Sequence, residues 1–145
     1  MQERWNDNMK VVIVGGVAGG ATAAARIRRL NEQAEIVVFE RSGYISYANC
    51  GLPYYLGGVI AEEQALLLQT PASFFGRFCV DVRVNSEVLR IDRAEKRVEV
   101  LNGETGQKYW ESYEKLILSP GAVPATPPIT GLDQAGVFTL RNVPD

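Results

Sequence analysis

The stretch KVVIVGGVAGG, residues 10–20, decides the fold of this chain. Its apolar, β-branched half predicts a buried parallel strand over Lys10–Val14, and its glycines predict a tight turn. The alanine-rich segment Ala18–Leu30 predicts a helix, and Glu35–Glu40 predicts a second strand. Strand, glycine turn, helix and strand within about thirty residues form a βαβ unit.

The glycine turn has the pattern of a dinucleotide-binding loop, with one departure. Gly15 and Gly20 occupy the first and third glycine positions of G-x-G-x-x-G, whereas Val17 occupies the second. In such turns the backbone N–H groups approach a pyrophosphate at the helix N-terminus. Glu40 lies where an acidic residue usually accepts hydrogen bonds from the adenosine ribose. The context therefore favours dinucleotide binding over a purely structural turn, without distinguishing FAD from NAD.

The remainder of the chain predicts one more helix and five more strands. Thr70-Pro71 predicts a helix start, with the helix running to Phe78. The expected strands are 80–84, 87–92, 97–101, 107–112 and 115–118. Turn residues between the middle three predict an antiparallel meander. The predicted fold class is α/β, a Rossmann-like domain with a parallel sheet plus an antiparallel β-meander.

Composition divides the chain into three segments. Residues 1–8 are polar and predict a flexible N-terminal extension, and residues 9–122 form the predicted domain. Residues 123–145 are rich in proline and show no helical pattern, so a linker is expected there.

Composition also excludes several classes of partner. A net charge of −2 over 145 residues gives no reason to expect nucleic acid or an anionic membrane surface. The longest uncharged run, Val11–Ala25, is too short and too rich in glycine for a membrane span. Two cysteines do not make a disulfide framework, and a reducing, cytoplasmic location is expected.

Cys50 is the candidate nucleophile. It lies in the segment ISYANCGLPY, residues 45–54, a short distance beyond the predicted nucleotide-binding unit. A thiol reacts as its thiolate, and a helix beginning at Cys50 and running to Leu56 would favour the anion. This position suggests a thiol held against a bound redox cofactor. A buried structural cysteine is the alternative that stays open.

Four stretches carry a resemblance to a known family. They are Val11–Arg29, Glu40-Arg41, Ser46–Tyr54 and Tyr113–Ala122. They resemble the coenzyme A disulfide reductases and the NADH-dependent persulfide and polysulfide reductases. Both groups belong to the single-cysteine branch of the flavin-dependent pyridine nucleotide–disulfide oxidoreductases. The resemblance covers essentially the chain from Met9 onward, although the family usually has Phe where this chain has Tyr47.

The resemblance implies an FAD-binding domain. Cys50 would be the catalytic residue beside the isoalloxazine ring, and the backbone around Val82 would meet the adenine. Dithiol relatives carry a second cysteine where this chain has Tyr55, so no local disulfide is expected. Cys79 matches no functional position and is predicted to lie in the core, and no metal site is expected. The implied cofactor-binding residues are Gly15, Gly16, Val17, Ala18, Gly19, Gly20, Glu40, Arg41, Asn49, Val82 and Gly121.

The resemblance also implies a substrate. Electrons would pass from NAD(P)H through FAD and Cys50 to coenzyme A disulfide, or to coenzyme A persulfide or polysulfide. A basic family residue aligns with Phe78, for which Arg77 is a neighbouring substitute. For Arg26, Arg28 and Arg29 the alternative is a solvated helix end. The implied coenzyme A residues are Thr22, Arg26, Arg29, Ser46 and Asn49.

Full members of the resembled family continue into an NAD(P)H-binding domain, a returning FAD segment and a dimerisation domain. This chain is therefore expected to be the N-terminal FAD-binding part of a homodimeric enzyme, with residues 123–145 leading towards an absent NAD(P)H-binding domain. By itself it is expected not to turn over NAD(P)H. Two alternatives remain: an NADH oxidase or peroxidase of the same superfamily, and a non-catalytic flavin-binding module or thiol sensor.

Overall fold

The computed structural model describes residues 9–145, so the predicted extension 1–8 lies outside the described residues. The helices are α1 (Ala18–Leu30), α2 (Leu52–Leu56) and α3 (Pro71–Phe78). The strands are β1 (Lys10–Val14), β2 (Glu35–Phe39), β3 (Ile45–Tyr47), β4 (Leu67–Gln69), β5 (Asp81–Arg83), β6 (Ser86–Asp92), β7 (Arg97–Asn102), β8 (Lys108–Ser112) and β9 (Lys115–Leu118).

The parallel sheet has the strand order β5-β2-β1-β9, and all of its pairings are parallel. β1 is the first half of the segment 10–20, and it lies between β2 and β9. Val12 is paired with Val37 on one side and with Leu116 on the other. A strand with neighbours on both sides and cover on both faces reads as a continuous apolar run, as it does here. The α/β prediction with a parallel sheet is confirmed.

The two faces of this sheet are covered by different elements. One face packs Val11 and Ile13 against Ala24 of α1 and Phe74 of α3. Strand side chains alternate between faces, so Val12 points the other way. It packs with the apolar side of the antiparallel sheet β6-β7-β8, including Val98 and Val100. The predicted meander is thus confirmed, and it forms the second cover of the parallel sheet.

A network of charges ties the meander to the parallel sheet. Lys10 Nζ lies 2.7 Å from Glu35 Oε1 and 2.6 Å from Glu111 Oε1, and the Arg83 guanidinium pairs with the other oxygen of Glu111. Burial alone would raise the pKa of Glu111, but the hydrogen bonds from Lys10 and Arg83 outweigh it and hold the pKa below its ordinary value. The folded state therefore favours the ionised carboxylate.

We expect Glu111→Gln to lower the free energy of unfolding by about 1–2 kcal/mol at about pH 7, because the hydrogen bonds to both cations lose their charged acceptor. The pKa of Glu111 is depressed from 4.5, so this contribution is present above about 4.5 and is lost as pH falls through the folded value. Urea unfolding at a series of pH values measures it. Glu95→Gln, in an exposed turn, is the control. An equal loss of stability in both variants would contradict the role of the network.

Two local features differ from the sequence-based expectation. The strand expected over 80–84 is shorter, Asp81–Arg83. Strands β3 and β4 pair as a separate antiparallel sheet that was not predicted, since three residues are too few to show an alternating pattern. This small sheet packs Tyr47 against Leu52 and Leu66. In residues 9–145, no helix combines the length and apolar character that crossing a bilayer requires.

Candidate functional site

The glycine turn after β1 packs closely against the end of β9 and the start of α1. Gly15 has φ +96°, and a Cβ there would overlap the carbonyl of Ser119 at the end of β9. A Cβ at Gly20 would overlap the Gly15 carbonyl in the same way. Both positions therefore require glycine, one for its backbone conformation and close approach and the other for close packing of α1 on β1.

Glu40 holds this turn against the end of β2. The N–H of Gly16 donates to Oε2 of Glu40 at 2.8 Å, and Ser42 donates its N–H and its hydroxyl to Oε1, each at 2.9 Å. The carboxylate is buried, with 7% of the residue exposed. Oε2 accepts one described hydrogen bond, which leaves acceptor capacity for a ligand hydroxyl.

A cavity of about 170 Å³, the turn cleft, opens at the start of α1. α1 begins at Ala18 without a side-chain N-cap and without an acidic residue in its first turn. The first N–H groups of a helix have no partner within it, so these are open to an anion. The lining residues are Gly15, Val17, Ala18, Gly19, Glu40, Arg41, Ser42, Tyr47, Asn49, Ser119, Pro120, Gly121, Ala122, Arg141, Asn142 and Pro144.

The structure brings most of the predicted cofactor-binding residues to the turn cleft. Gly16 and Gly20 are exceptions: both are buried and neither lines the turn cleft. Val82 also lies outside the cleft: it pairs with Val38 at the edge of the parallel sheet and packs against the core. Asn49, assigned to both cofactor and substrate, lines the turn cleft and not the larger cleft described below.

The end of the chain contributes a wall that the sequence did not indicate. Asn142 accepts a hydrogen bond from the Tyr47 hydroxyl at 3.2 Å, and Arg141 donates to the Ala122 carbonyl at 3.0 Å. Burial raises the pKa of Tyr47 above its ordinary value, against the opposing effect of Arg141. Arg141 and Asn142 lie in no motif, so no local signal in the sequence could have identified this wall.

A larger cavity of about 570 Å³, the arginine cleft, lies between α1 and α3. Among the described residues, its lining contains three arginines and no acidic side chain. None of these arginines forms an ion pair within residues 9–145. The lining residues are Val17, Ala18, Ala21, Thr22, Ala25, Arg26, Arg29, Ser46, Tyr47, Leu68, Gln69, Phe74, Arg77 and Phe78.

The polar residues of the arginine cleft come from one face of α1 and from β3. Thr22, Arg26 and Arg29 are four and three residues apart on α1, so they share one face of the helix. Ser46 faces the same cleft from β3, and its backbone has φ +45°, an uncommon conformation for a residue with a side chain. Its N–H donates to the Gly16 carbonyl at 3.0 Å, which ties the cleft to the glycine turn.

The two clefts share a wall. Val17, Ala18 and Tyr47 line both of them. Val17 occupies the place of the second glycine of the dinucleotide pattern, and its side chain packs against the apolar cluster around Tyr47. The departure from the pattern therefore supplies a side chain to the partition between the clefts.

Cys50 is exposed, which contradicts the alternative of a buried structural cysteine. The prediction that it begins a helix is wrong: Cys50 is the middle residue of a 3₁₀ turn over Asn49–Gly51, and α2 begins at Leu52. The turn closes early because the Gly51 N–H donates to the Ala48 carbonyl. The turn places the thiol three residues beyond the shared wall residue Tyr47.

One further prediction, for Cys79, and one alternative, for Arg28, are wrong. Cys79 is exposed rather than in the core, because it ends α3 in a left-handed conformation beyond the apolar face of that helix. Arg28 does not lie at a solvated helix end, since its guanidinium donates to four backbone carbonyls. Within residues 9–145, no group of three or more His, Cys, Asp or Glu side chains could hold a metal ion.

The family of this chain follows from its similarity to known proteins. Residues 9–145 match the family model described as pyridine nucleotide-disulphide oxidoreductase. The chain belongs to this family. Its fold is thereby that of a pyridine nucleotide-disulphide oxidoreductase.

Individual members of the pyridine nucleotide-disulphide oxidoreductase family are similar over nearly the whole chain. Coenzyme A disulfide reductase from Staphylococcus aureus strain JH9 is 43% identical over 136 residues, which are 94% of this chain and 30% of that protein. Reduced CoADR-RHD from Bacillus anthracis is 55% identical with a TM-score of 0.91, over 98% of this chain and 26% of its own. A NAD-dependent persulfide reductase from A. fulgidus is 39% identical with a TM-score of 0.87, over 94% of this chain and 25% of its own. The chain thus spans less than a third of each.

We expect Gly15→Ala to destabilise the fold by at least about 2 kcal/mol, because the positive φ and the overlap with the Ser119 carbonyl both oppose a methyl group. Gly76→Ala is the matched control, since Gly76 lies inside α3 with open space around its Cβ position. There the same change should stabilise the protein by about 0.5–1 kcal/mol. Thermal unfolding of both variants measures the difference, and a neutral Gly15→Ala variant would show that the turn tolerates a side chain.

Proposed function

We propose that residues 9–122 are the FAD-binding portion of a flavoprotein disulfide reductase. The enzyme would pass electrons from NAD(P)H, through FAD and the single redox cysteine Cys50, to coenzyme A disulfide or to coenzyme A persulfide or polysulfide. The observation that carries the proposal is the shared wall of Val17, Ala18 and Tyr47. It separates a dinucleotide-type cleft from a cationic cleft, with an exposed thiol close by in the chain.

The turn cleft suits FAD. The uncapped N-terminus of α1, at Ala18 and Gly19, offers backbone N–H groups to a pyrophosphate. Glu40 retains acceptor capacity for ribose hydroxyls, and Arg41 lies beside it as an exposed cation. When bound, FAD supplies the two-electron chemistry that connects a nicotinamide donor to a cysteine–sulfur bond.

The arginine cleft suits coenzyme A. Coenzyme A carries several phosphates, and the guanidinium groups of Arg26, Arg29 and Arg77 lack carboxylate partners among the described residues. Thr22 and Ser46 add hydroxyl groups for hydrogen bonding. Apolar side chains between them provide a surface for the uncharged arm of the ligand.

Cys50 would act as the nucleophile. Its thiolate attacks one sulfur of coenzyme A disulfide, a Cys50–sulfur bond forms, and one coenzyme A thiolate leaves. Two electrons and one proton then cleave the mixed disulfide, which releases the second coenzyme A thiol and restores the Cys50 thiolate. With a persulfide substrate, the same thiolate would attack the outer sulfur atom, forming a Cys50 persulfide and releasing coenzyme A thiolate. Two electrons and one proton would then cleave the Cys50 persulfide, releasing hydrogen sulfide and restoring the thiolate. The exposure of Cys50 on its 3₁₀ turn supports this role, because an external substrate must reach the sulfur.

Other parts of the proposal concern the whole enzyme. A domain beyond these residues would bind NAD(P)H, and residues 123–145 would lead towards it. We propose a homodimer in the cytoplasm, acting on the disulfide or persulfide of coenzyme A and not on nucleic acid or membranes.

We expect Cys50→Ser in the intact protein to lower kcat for NAD(P)H-dependent reduction of coenzyme A disulfide by at least about a thousandfold, because the attacking thiolate is removed. Bound flavin should remain. NADH consumption measures the rate, and the visible spectrum measures the flavin content. Cys79→Ser is the control: Cys79 is also exposed, and its loss should leave the rate within about twofold.

Three results would redirect the proposal. Full activity of Cys50→Ser would remove the nucleophile from the mechanism. NADH consumption accelerated by oxygen and not by coenzyme A disulfide or persulfide would favour an NADH oxidase or peroxidase. Rapid modification of Cys50 in the flavin-free protein, without turnover, would favour a thiol sensor.

We expect Arg26→Gln or Arg29→Gln to raise KM for coenzyme A disulfide about three- to thirtyfold with kcat little changed, because each removes a charge-assisted phosphate contact. The increase should shrink at high salt, since salt screens the cleft of the unsubstituted protein as well. Arg93→Gln, in the exposed turn between β6 and β7, is the control. An equal KM for coenzyme A disulfide in all three variants would show that Arg26 and Arg29 are solvated surface residues.

A further inference from the structure

Arg28 joins the C-terminal ends of the two helices that border the arginine cleft. Its Nε and Nη2 atoms donate to the carbonyls of Phe78 and Cys79, at 2.8 and 2.9 Å. Its Nη1 atom donates to the carbonyls of Asn31 and Glu32, at 3.4 and 2.6 Å. One guanidinium therefore connects the chain just after α1 with the chain at the end of α3.

The Phe78 carbonyl at the end of α3 takes its hydrogen bond from a donor outside that helix. The last carbonyls of a helix have no partner within it, and the negative end of the helix dipole favours a cation there. Cys79, the C-cap residue that follows α3, has φ +49°, a conformation that costs a residue with a side chain about 1 kcal/mol. A guanidinium offers five donors in a fixed fork, whereas an ammonium group has no such geometry.

The arginine cleft depends on the separation of these two helices. α1 contributes Arg26 and Arg29, α3 contributes Arg77, and like charges facing one cavity repel each other. Arg28 is not a lining residue of the cleft. In the described part of the chain, the hydrogen bonds between α1 and the end of α3 are those of Arg28. Apart from these bonds, apolar packing around Phe74 is what connects the two helices.

We propose that Arg28 is a positioning residue that holds the arginine-bearing walls at the separation a polyphosphate ligand requires, without touching that ligand. This inference rests on the proposed function, since coenzyme A is the ligand assigned to the cleft. Its consequence is that coenzyme A affinity depends on the fork geometry of Arg28 and not only on its charge.

The test is coenzyme A binding to the intact protein carrying Arg28→Lys, measured by calorimetry with the free thiol as ligand. Lysine keeps the charge but cannot bridge four carbonyls. We expect Kd to rise about three- to tenfold, while FAD content and the salt dependence of coenzyme A binding stay unchanged. Arg26→Gln should instead weaken the salt dependence, because it removes a charge from the cleft itself. Arg93→Lys is the matched control, with no change expected.

A second variant separates positioning from general stability. Adding Cys79→Gly to Arg28→Lys relieves the left-handed residue and should recover about 1 kcal/mol of stability. If Arg28 positions the walls, melting temperature recovers in the double variant but coenzyme A affinity does not. Recovery of both would overturn the proposal, because Arg28 would then act only by stabilising the end of α3.

The remaining outcomes distinguish this inference from the proposed function. Coenzyme A affinity within about twofold of the unsubstituted protein in Arg28→Lys would overturn the role of Arg28 alone. A loss of bound FAD as large as the loss of coenzyme A affinity would also overturn the role of Arg28, because the substitution would then have loosened the whole domain. Failure of the unsubstituted protein to bind coenzyme A would overturn the proposed occupant of the cleft, and the Arg28 inference with it.

Discussion

The buried carboxylate of Glu40 is the constraint on which the rest of this structure depends. It accepts the N–H of Gly16 and both donors of Ser42, so the glycine turn is held to the end of β2. The backbone of Glu40 donates to the Arg83 carbonyl and accepts from the Ser86 N–H, which connects β5 and the start of the meander. A carboxylate is costly to bury without such donors, so these segments must arrive together.

The backbone of Gly16 connects Glu40 to the segment that contains the candidate site residues. Its N–H binds Glu40, while its carbonyl accepts the N–H of Ser46 at the start of the segment that leads to Cys50. The turn cleft and the arginine cleft meet at Tyr47 and Val17, and the backbone of Gly16 connects the glycine turn to strand β3 at this point. In the function we propose, this shared wall keeps flavin and anionic substrate close together, and Cys50 follows the wall residue Tyr47 by three residues in the chain. A pre-formed arrangement of this kind lowers the entropic cost of bringing the reactants together.

Sequence patterns predicted the framework well. Helix α1 has the predicted bounds, Ala18–Leu30, since a glycine turn and a long run of helix formers delimit it. The meander followed from alternating side chains and turn residues, which are local signals. Cys79 and the turn at Cys50 were described wrongly, because a side chain's burial and the choice between 3₁₀ and α geometry depend on contacts elsewhere in the chain.

Local sequence was enough to predict the βαβ unit, the glycine at Gly15 and an acidic residue at the end of β2, because these depend on periodicity and backbone conformation within short windows. Only the tertiary structure decided the roles of neighbouring arginines on one helix. Arg26 and Arg29 face a cleft, whereas Arg28 turns towards carbonyls fifty and fifty-one residues away. The physical reason is that a helix directs successive side chains to different sides, and what lies on each side is set by distant segments.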